Sequence, residues 1–306
     1  MEHEGDSASG LVLAVTVYVL WGFLPLYLAL LAHVPPAEVV AHRILWSLPL
    51  AALVLWATGR GAALRAAIRS PASLATAGAA ALILSVNWGI YVWAVTTGHA
   101  LDAALGYYIN PLFSILLAAL LLRERLSPLQ VAAVALAALA VAYLTWDTGR
   151  LPVAALGLTV SWGLYAFIKR RLPLGANEGF LLEVLALLPF ALALILWLEA
   201  RGTGHFSASL PDALLLLGCG AVTAGPLLLY ANAAKRLRLS TIAILQYIAP
   251  TLVAILAVFV LGEPFGRARA VAFPLIGAAL ALYSLSLWRG RTVRAAPPPP
   301  QPSRSA

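Results

Sequence analysis

Apolar stretches follow one another along almost the whole chain, with charged residues confined to the short gaps between them. Each stretch is roughly 18 to 25 residues long. At about 1.5 Å of rise per helical residue, that is the length needed to cross ~30 Å of hydrocarbon. In lipid every backbone N–H and C=O must be satisfied within its own segment, so such stretches form helices. The pattern predicts an all-α membrane protein with ten transmembrane helices at about 11–31, 36–57, 72–96, 100–122, 127–146, 152–169, 178–198, 211–234, 240–261 and 267–288. A signal peptide is the competing reading of the first stretch. Its leader carries Glu2, Glu4 and Asp6 with no Lys or Arg, and Trp21-Gly22-x-x-Pro25 sits mid-span where no small-residue cleavage site exists, so a retained helix is expected.

The second half repeats the first about 139 residues later. Trp88–Glu124 lies over Leu227–Glu263 without a gap, and ten of the 37 columns are identical. Ala and Leu matches mean little in so apolar a chain. The pairs Tyr91/Tyr230, Tyr108/Tyr247, Ile109/Ile248, Pro111/Pro250 and Glu124/Glu263 mean more, and Trp21-Gly22/Trp162-Gly163 and Pro49/Pro189 agree within a residue or two. Each unit holds five spans, an odd number, so the copies insert with opposite orientation: two inverted five-helix repeats, a common way to place a solute site at the bilayer midplane. The expected organisation is a leader at 1–10, repeats at 11–146 and 152–288, and a disordered proline-rich tail at 289–306.

Composition agrees: 62% of residues are hydrophobic and 10% charged, against about a quarter charged in soluble domains. The net charge of +8 reads as topology. With the N-terminus inside, fifteen of the Lys and Arg residues fall in inner segments and four (Arg150, Arg201, Arg267, Arg269) in outer ones. This bias puts both termini in the cytoplasm. No basic stripe with interleaved aromatics exists, so no nucleic-acid partner is expected. Cys219 is the single cysteine, which excludes an internal disulfide.

Chemistry gathers near the spans' middles. Pro111 and Pro250 each sit about ten residues into a span; a proline there removes a backbone hydrogen bond and bends the helix. A structural kink and a functional hinge are both open readings. Around them lie Asn87, Trp88, Tyr91, Trp93, Tyr107, Tyr108 and Asn110, then Tyr230, Asn232, Gln246 and Tyr247, with Trp21 and Trp162 placed to cap the same space. Polar groups in hydrocarbon face the bundle interior, either as glue between helices or as a solute pocket. In span two, Glu38 and His42 share a helix face, and Arg43 lies ~10 Å from the outer surface. Arg43 aligns with Glu183, which offers a salt bridge, and these four residues are gating or coupling candidates; His42 leaves protons open as a coupling ion. No Walker loop, nucleophile elbow, clustered metal ligands or paired acids is present, so neither enzyme, metal nor cofactor is expected.

Several strings resemble the RarD group of EamA-type proteins in the drug/metabolite transporter superfamily. They are Tyr18-x-x-Trp21-Gly22, His42-Arg43-x-x-Trp46-Ser47, Asn87-Trp88, Leu105-Gly106-Tyr107-Tyr108-Ile109-Asn110-Pro111, Arg236-Leu237-Arg238-Leu239-Ser240-Thr241 and Gln246-Tyr247-Ile248-x-Pro250. The resemblance covers about residues 10–288. It implies a bacterial inner-membrane permease, with relatives that move amino acids, metabolites or drugs, mostly outward. It also implies a cavity lined by spans one, three, four, six, eight and nine. Carried to this chain, that favours Trp21, Asn87, Trp88, Tyr91, Tyr108, Asn110, Trp162, Tyr165, Tyr230, Asn232, Gln246 and Tyr247 as lining. A ligand-binding membrane sensor without transport is the alternative. Solute identity, direction and oligomeric state are not legible.

Overall fold

The structure, a computed structural model, describes residues 6–123 and 125–294, apart from the side chains of residues 122, 239–240 and 287–294. Glu124 and residues 295–306, on which the acidic repeat match and most of the expected tail fall, lie outside the described residues. Twelve helices follow in order: α1 (Ala8–Ala29), α2 (Pro36–Ala57), α3 (Gly61–Ile68), α4 (Pro71–Thr96), α5 (Ala100–Leu122), α6 (Pro128–Thr148), α7 (Val153–Lys169), α8 (Ala176–Ala200), α9 (Leu210–Ala234), α10 (Leu239–Leu245), α11 (Ile248–Phe259) and α12 (Arg267–Arg294).

Nine spans are long and apolar enough to cross a membrane among the described residues, most of α10 and all of α11 counting as one, and α7 adds a shorter apolar helix of 17 residues. These ten spans are the two inverted repeats of the sequence reading. Local chemistry sets the boundaries. Ser7, Ser70, Ser127 and Ser209 cap helix N-termini through their hydroxyls, Pro36, Pro71 and Pro128 stand at the first helical position, and Ser127 with Gln130 forms a full capping box. At the far end of α6, Gly149 takes φ 66°, which stops the helix.

Three features differ from expectation. Helix α3 lies in the gap between the second and third predicted spans, and its eight residues are too few for a span. The ninth span is two helices, parted at Gln246–Tyr247. Pro250 explains the break: it has no N–H for the carbonyl four residues back, that of Gln246, and its ring crowds that carbonyl. Helix α12 runs to Arg294, past the expected end at 288.

The chain forms two compact units that cut across the repeats. One comprises Met1–Asn110 and Pro152–Phe265, the other Pro111–Leu151 and Gly266–Ala306. In the second, α6 packs along α12. In the first, α2 packs against α8 and α9, α4 against α7, and α1 against α9 and α11. Small residues allow the closest approaches: a Cβ on Gly220 would collide with the Trp46 carbonyl, and one on Gly106 would meet the Ala155 carbonyl oxygen at 2.7 Å. Large apolar side chains, among them Trp56, Trp146 and Phe259, remain exposed as a lipid-facing surface requires. Trp56 and Trp146 lie near helix ends, where interfacial belts form.

Contacts between helix ends in the first unit obey the alternating topology. On the side expected to be cytoplasmic, Asp6 accepts from the Arg238 amide (2.8 Å) and Thr241 hydroxyl (2.6 Å), and Arg60 pairs with Glu178 at 3.0 Å. On the other side, His33 meets Asp212 at 2.9 Å and Glu38 meets His205 at 2.8 Å. There Glu263 also caps α5, accepting from the Ala100 and Leu101 amides.

Candidate functional site

The first unit encloses a cavity of about 170 Å³ whose wall draws on α1, α2, α4, α5, α7, α9 and the α10–α11 segment. Tyr18 and Trp21 come from α1, Arg43 from α2, and Asn87, Trp88 and Tyr91 from α4. Tyr107 and Asn110 come from α5, Trp162 and Tyr165 from α7, Thr223 from α9, and Gln246 and Pro250 from the broken ninth span. These are the six spans the resemblance implied, joined by the second.

The repeat organises the wall. At a spacing of 139, Leu84/Thr223, Trp88/Leu227, Tyr107/Gln246 and Asn110/Ala249 are equivalent positions, and all eight residues line the cavity. Trp21 and Trp162, the pair offset by 141, line it too. The frame is symmetric and the chemistry is not, because each of the four pairs sets one kind of side chain against another.

Eight of the twelve expected lining residues are in the wall: Trp21, Asn87, Trp88, Tyr91, Asn110, Trp162, Tyr165 and Gln246. The other four stand elsewhere. Tyr108 and Tyr247 stack on each other (centroids 6.0 Å, planes at 15°), and the Tyr108 hydroxyl meets that of Thr251 at 2.6 Å. Tyr230 packs against Tyr18 and Trp21, supporting them. Asn232 is a correction. It stands exposed on α9 and donates to the Leu228 carbonyl of its own helix at 2.9 Å, so it needs no bundle interior to satisfy it. Of the hinge candidates, Pro250 lines the cavity and Pro111 does not. Tyr107, left off the expected lining, is there instead of its neighbour Tyr108. Trp93 is exposed and stacks on His99.

Arg43 is 4% exposed. Its Nε donates to Thr223 Oγ1 at 2.9 Å, the Thr223 hydroxyl donates in turn to the Cys219 carbonyl at 2.7 Å, and the guanidinium lies 4.8 Å from the Trp88 ring centroid. Arg43 Nη1 is buried with no hydrogen-bond partner among the described residues. The Arg43–Glu183 bridge does not form. Glu183 accepts instead from Lys169 Nζ at 2.7 and 2.9 Å and from the Tyr165 hydroxyl at 3.2 Å, because Lys169, at the end of the adjacent α7, supplies a nearer cation. A central Arg costs on the order of 2.5–3.5 kcal/mol on insertion scales. One hydrogen bond to a neutral hydroxyl returns roughly 1 kcal/mol and one cation–π contact about as much, so the wall leaves this cation under-compensated.

Glu38 and His42 belong to a separate cluster nearer the outer end of α2. Glu38 accepts from the amide of His205 at 2.7 Å and contacts its ring at 2.8 Å. His42 accepts from Trp46 Nε1 at 3.1 Å and stacks on Phe206. Elsewhere in the wall Asn87 works as interhelical glue, donating to Ser161 Oγ at 2.8 Å and the Leu158 carbonyl at 3.1 Å. Among the described residues, no group of three His, Cys, Asp or Glu is placed to hold a metal.

The EamA-like transporter family model matches residues 8–146 and 151–285. An uncharacterised transporter of Pseudomonas aeruginosa is 41% identical over 281 residues, covering 92% of this chain and 94% of its own length. The protein RarD of Escherichia coli is 37% identical over 279 residues, 91% of this chain and 94% of its own. A protein of known crystal structure superposes with a TM-score of 0.58 at 23% identity, covering 92% of this chain and 97% of its own, a likeness of fold. The two halves matched by the family model are the two copies that share the cavity wall, and the chain belongs to the EamA-like transporter family as a RarD-type, multi-pass membrane permease of the drug/metabolite transporter superfamily.

Proposed function

We propose that the chain exports a small organic solute across the inner membrane by alternating access, with both termini cytoplasmic. The carrying observation is the cavity walled by equivalent positions of two inverted repeats, because such a pair can exchange conformations and present one site to either side. The charge bias toward inner segments supports the orientation. The wall's aromatic rings and few polar groups suit a partly apolar solute.

Two contact sets lie where gates are needed. Glu38 with His205 latches the loop after α8 to the start of α2, and Lys169 with Glu183 and Tyr165 ties α7 to α8 toward the opposite end. Pro250, at the break between α10 and α11, and its equivalent Pro111 in α5 are the hinges. A thermal-shift screen of amino acids, organic acids and antibiotics would find a stabilising solute, and proteoliposome flux with and without a pH gradient would follow. Trp21→Ala and Trp162→Ala should each cut that flux at least tenfold while the protein still inserts. Full flux in both would remove the cavity from the pathway. Binding without any flux would make the protein a membrane sensor.

A further inference from the structure

We infer that the solute is an organic monoanion, its carboxylate paired with Arg43 and its apolar body held among the aromatic rings of the wall. The inference rests on the reading of this cavity as the solute site, and it names the solute's class.

Charge carries it. Arg43 lines the cavity while 96% buried, with Nη1 lacking a hydrogen-bond partner and no carboxylate within ion-pairing distance among the described residues. The other buried acids whose contacts are described are engaged elsewhere: Glu38 with His205, Glu178 with Arg60, Glu183 with Lys169, and Glu263 with the α5 amides. The second ionised group bordering the wall is Glu183, which reaches it through Tyr165, and Lys169 already neutralises it. The fixed charge beside the cavity is therefore that of one guanidinium.

A guanidinium stays protonated at any physiological pH and presents a planar fork of donors matched to a carboxylate. Thr223 and Trp88 hold one edge and one face of that fork, and Nη1, itself buried, has no hydrogen-bond partner among the described residues. A cationic solute would be repelled there. A neutral one would leave the charge uncompensated in a poorly solvated wall, so an anion gains where its neutral analogue does not. Trp21, Trp88, Trp162, Tyr91 and Tyr107 supply flat apolar surface for the remainder.

The test uses the full chain in lipid nanodiscs and three probes of one shape, indole-3-acetate, its neutral amide indole-3-acetamide and the cation tryptamine, with affinities read by calorimetry. The acid should bind at least tenfold more tightly than the amide, and tryptamine most weakly. In Arg43→Gln the acid and amide should come within twofold of each other, while Arg43→Lys keeps the order at reduced affinity. Thr223→Val, which unpins the guanidinium and spares its charge, should weaken the acid several-fold and leave the amide within twofold. It also serves as the probe variant should Arg43→Gln fail to fold. Equal binding of acid and amide by the wild type, an unchanged preference in Arg43→Gln, no acid binding at millimolar concentration, or displacement of the acid by equimolar nitrate would each overturn the inference. Vesicle flux separates it from the permease reading: acid-selective binding without flux sinks the latter alone, and flux without acid preference sinks this one alone.

Discussion

Arg43 and Glu183 are equivalent positions of the two repeats, each about seven residues into its helix and so ~10 Å from opposite surfaces. Both are buried, and they carry opposite charges in opposite circumstances. Glu183 has a lysine and a tyrosine hydroxyl in hydrogen-bond contact; Arg43 has a threonine and an indole face and lines the cavity. Under the proposed reading, an ion with its partners in place holds helices together, whereas one left short of partners beside a cavity is available to a solute. The same frame, inverted and copied, thus sets one charge against a partner ion and the other against a hydroxyl and an indole face.

Lys169 is where the difference between the two charges should show most strongly. Removing one partner of a buried pair is far costlier than the pair is worth, and Lys169 keeps about a quarter of its side chain accessible, which places the cost at the low end. Lys169→Ala should lower unfolding free energy in detergent by about 3 kcal/mol, and Glu183→Gln in the same chain should recover most of it. A loss too small to measure would return Glu183 to the pool of receptive charges. Glu263 is a third case, a buried carboxylate that accepts from the Ala100 and Leu101 amides and from no side chain among the described residues. Glu263→Gln weakens the cap on α5 and should cost about 1–2 kcal/mol, read by thermal unfolding.

Arg43→Gln should do the reverse of Lys169→Ala: stability unchanged or raised by up to ~1 kcal/mol, because an under-compensated charge leaves the interior, with flux lost. Strong destabilisation would make Arg43 a structural lock. The smallest effect concerns Asp6, fully outside the spans. Its bonds to the Arg238 amide and the Thr241 hydroxyl hold its carboxyl below the usual range. The contact is therefore complete above about pH 3.9, the ordinary aspartate value, and is released as pH falls through the lower folded value. Hydrogen exchange at the Arg238 amide should speed up across that window, and in Asp6→Asn the acid-dependent step should be absent.

The fold was largely legible because span length and a two-fold repeat of five spans are coarse signals, insensitive to which way a helix faces. Facing is what the site depends on. Tyr107 and Tyr108 are adjacent and so ~100° apart around the helix, and no length or repeat argument tells which one meets the cavity. Thr223 was missed because its equivalent, Leu84, is apolar, so the repeat carries no sign of it. Lys169 was counted among the loop cations that set topology, which hid its service to Glu183 and made Arg43 look like that acid's natural partner. The break at Gln246–Tyr247 was within reach of proline geometry, since the carbonyl that Pro250 displaces is four residues upstream.

Alternating access, as proposed, requires that one cavity be reached from both faces in turn. Cys219 is the only native cysteine, so a Cys219→Ala chain carrying Leu227→Cys, a wall position, reports on that cavity alone. Reconstituted in one orientation and treated with a membrane-impermeant maleimide, it should be labelled from either side, with bound solute slowing both reactions. Labelling from one side only, whatever solute is present, would contradict the account.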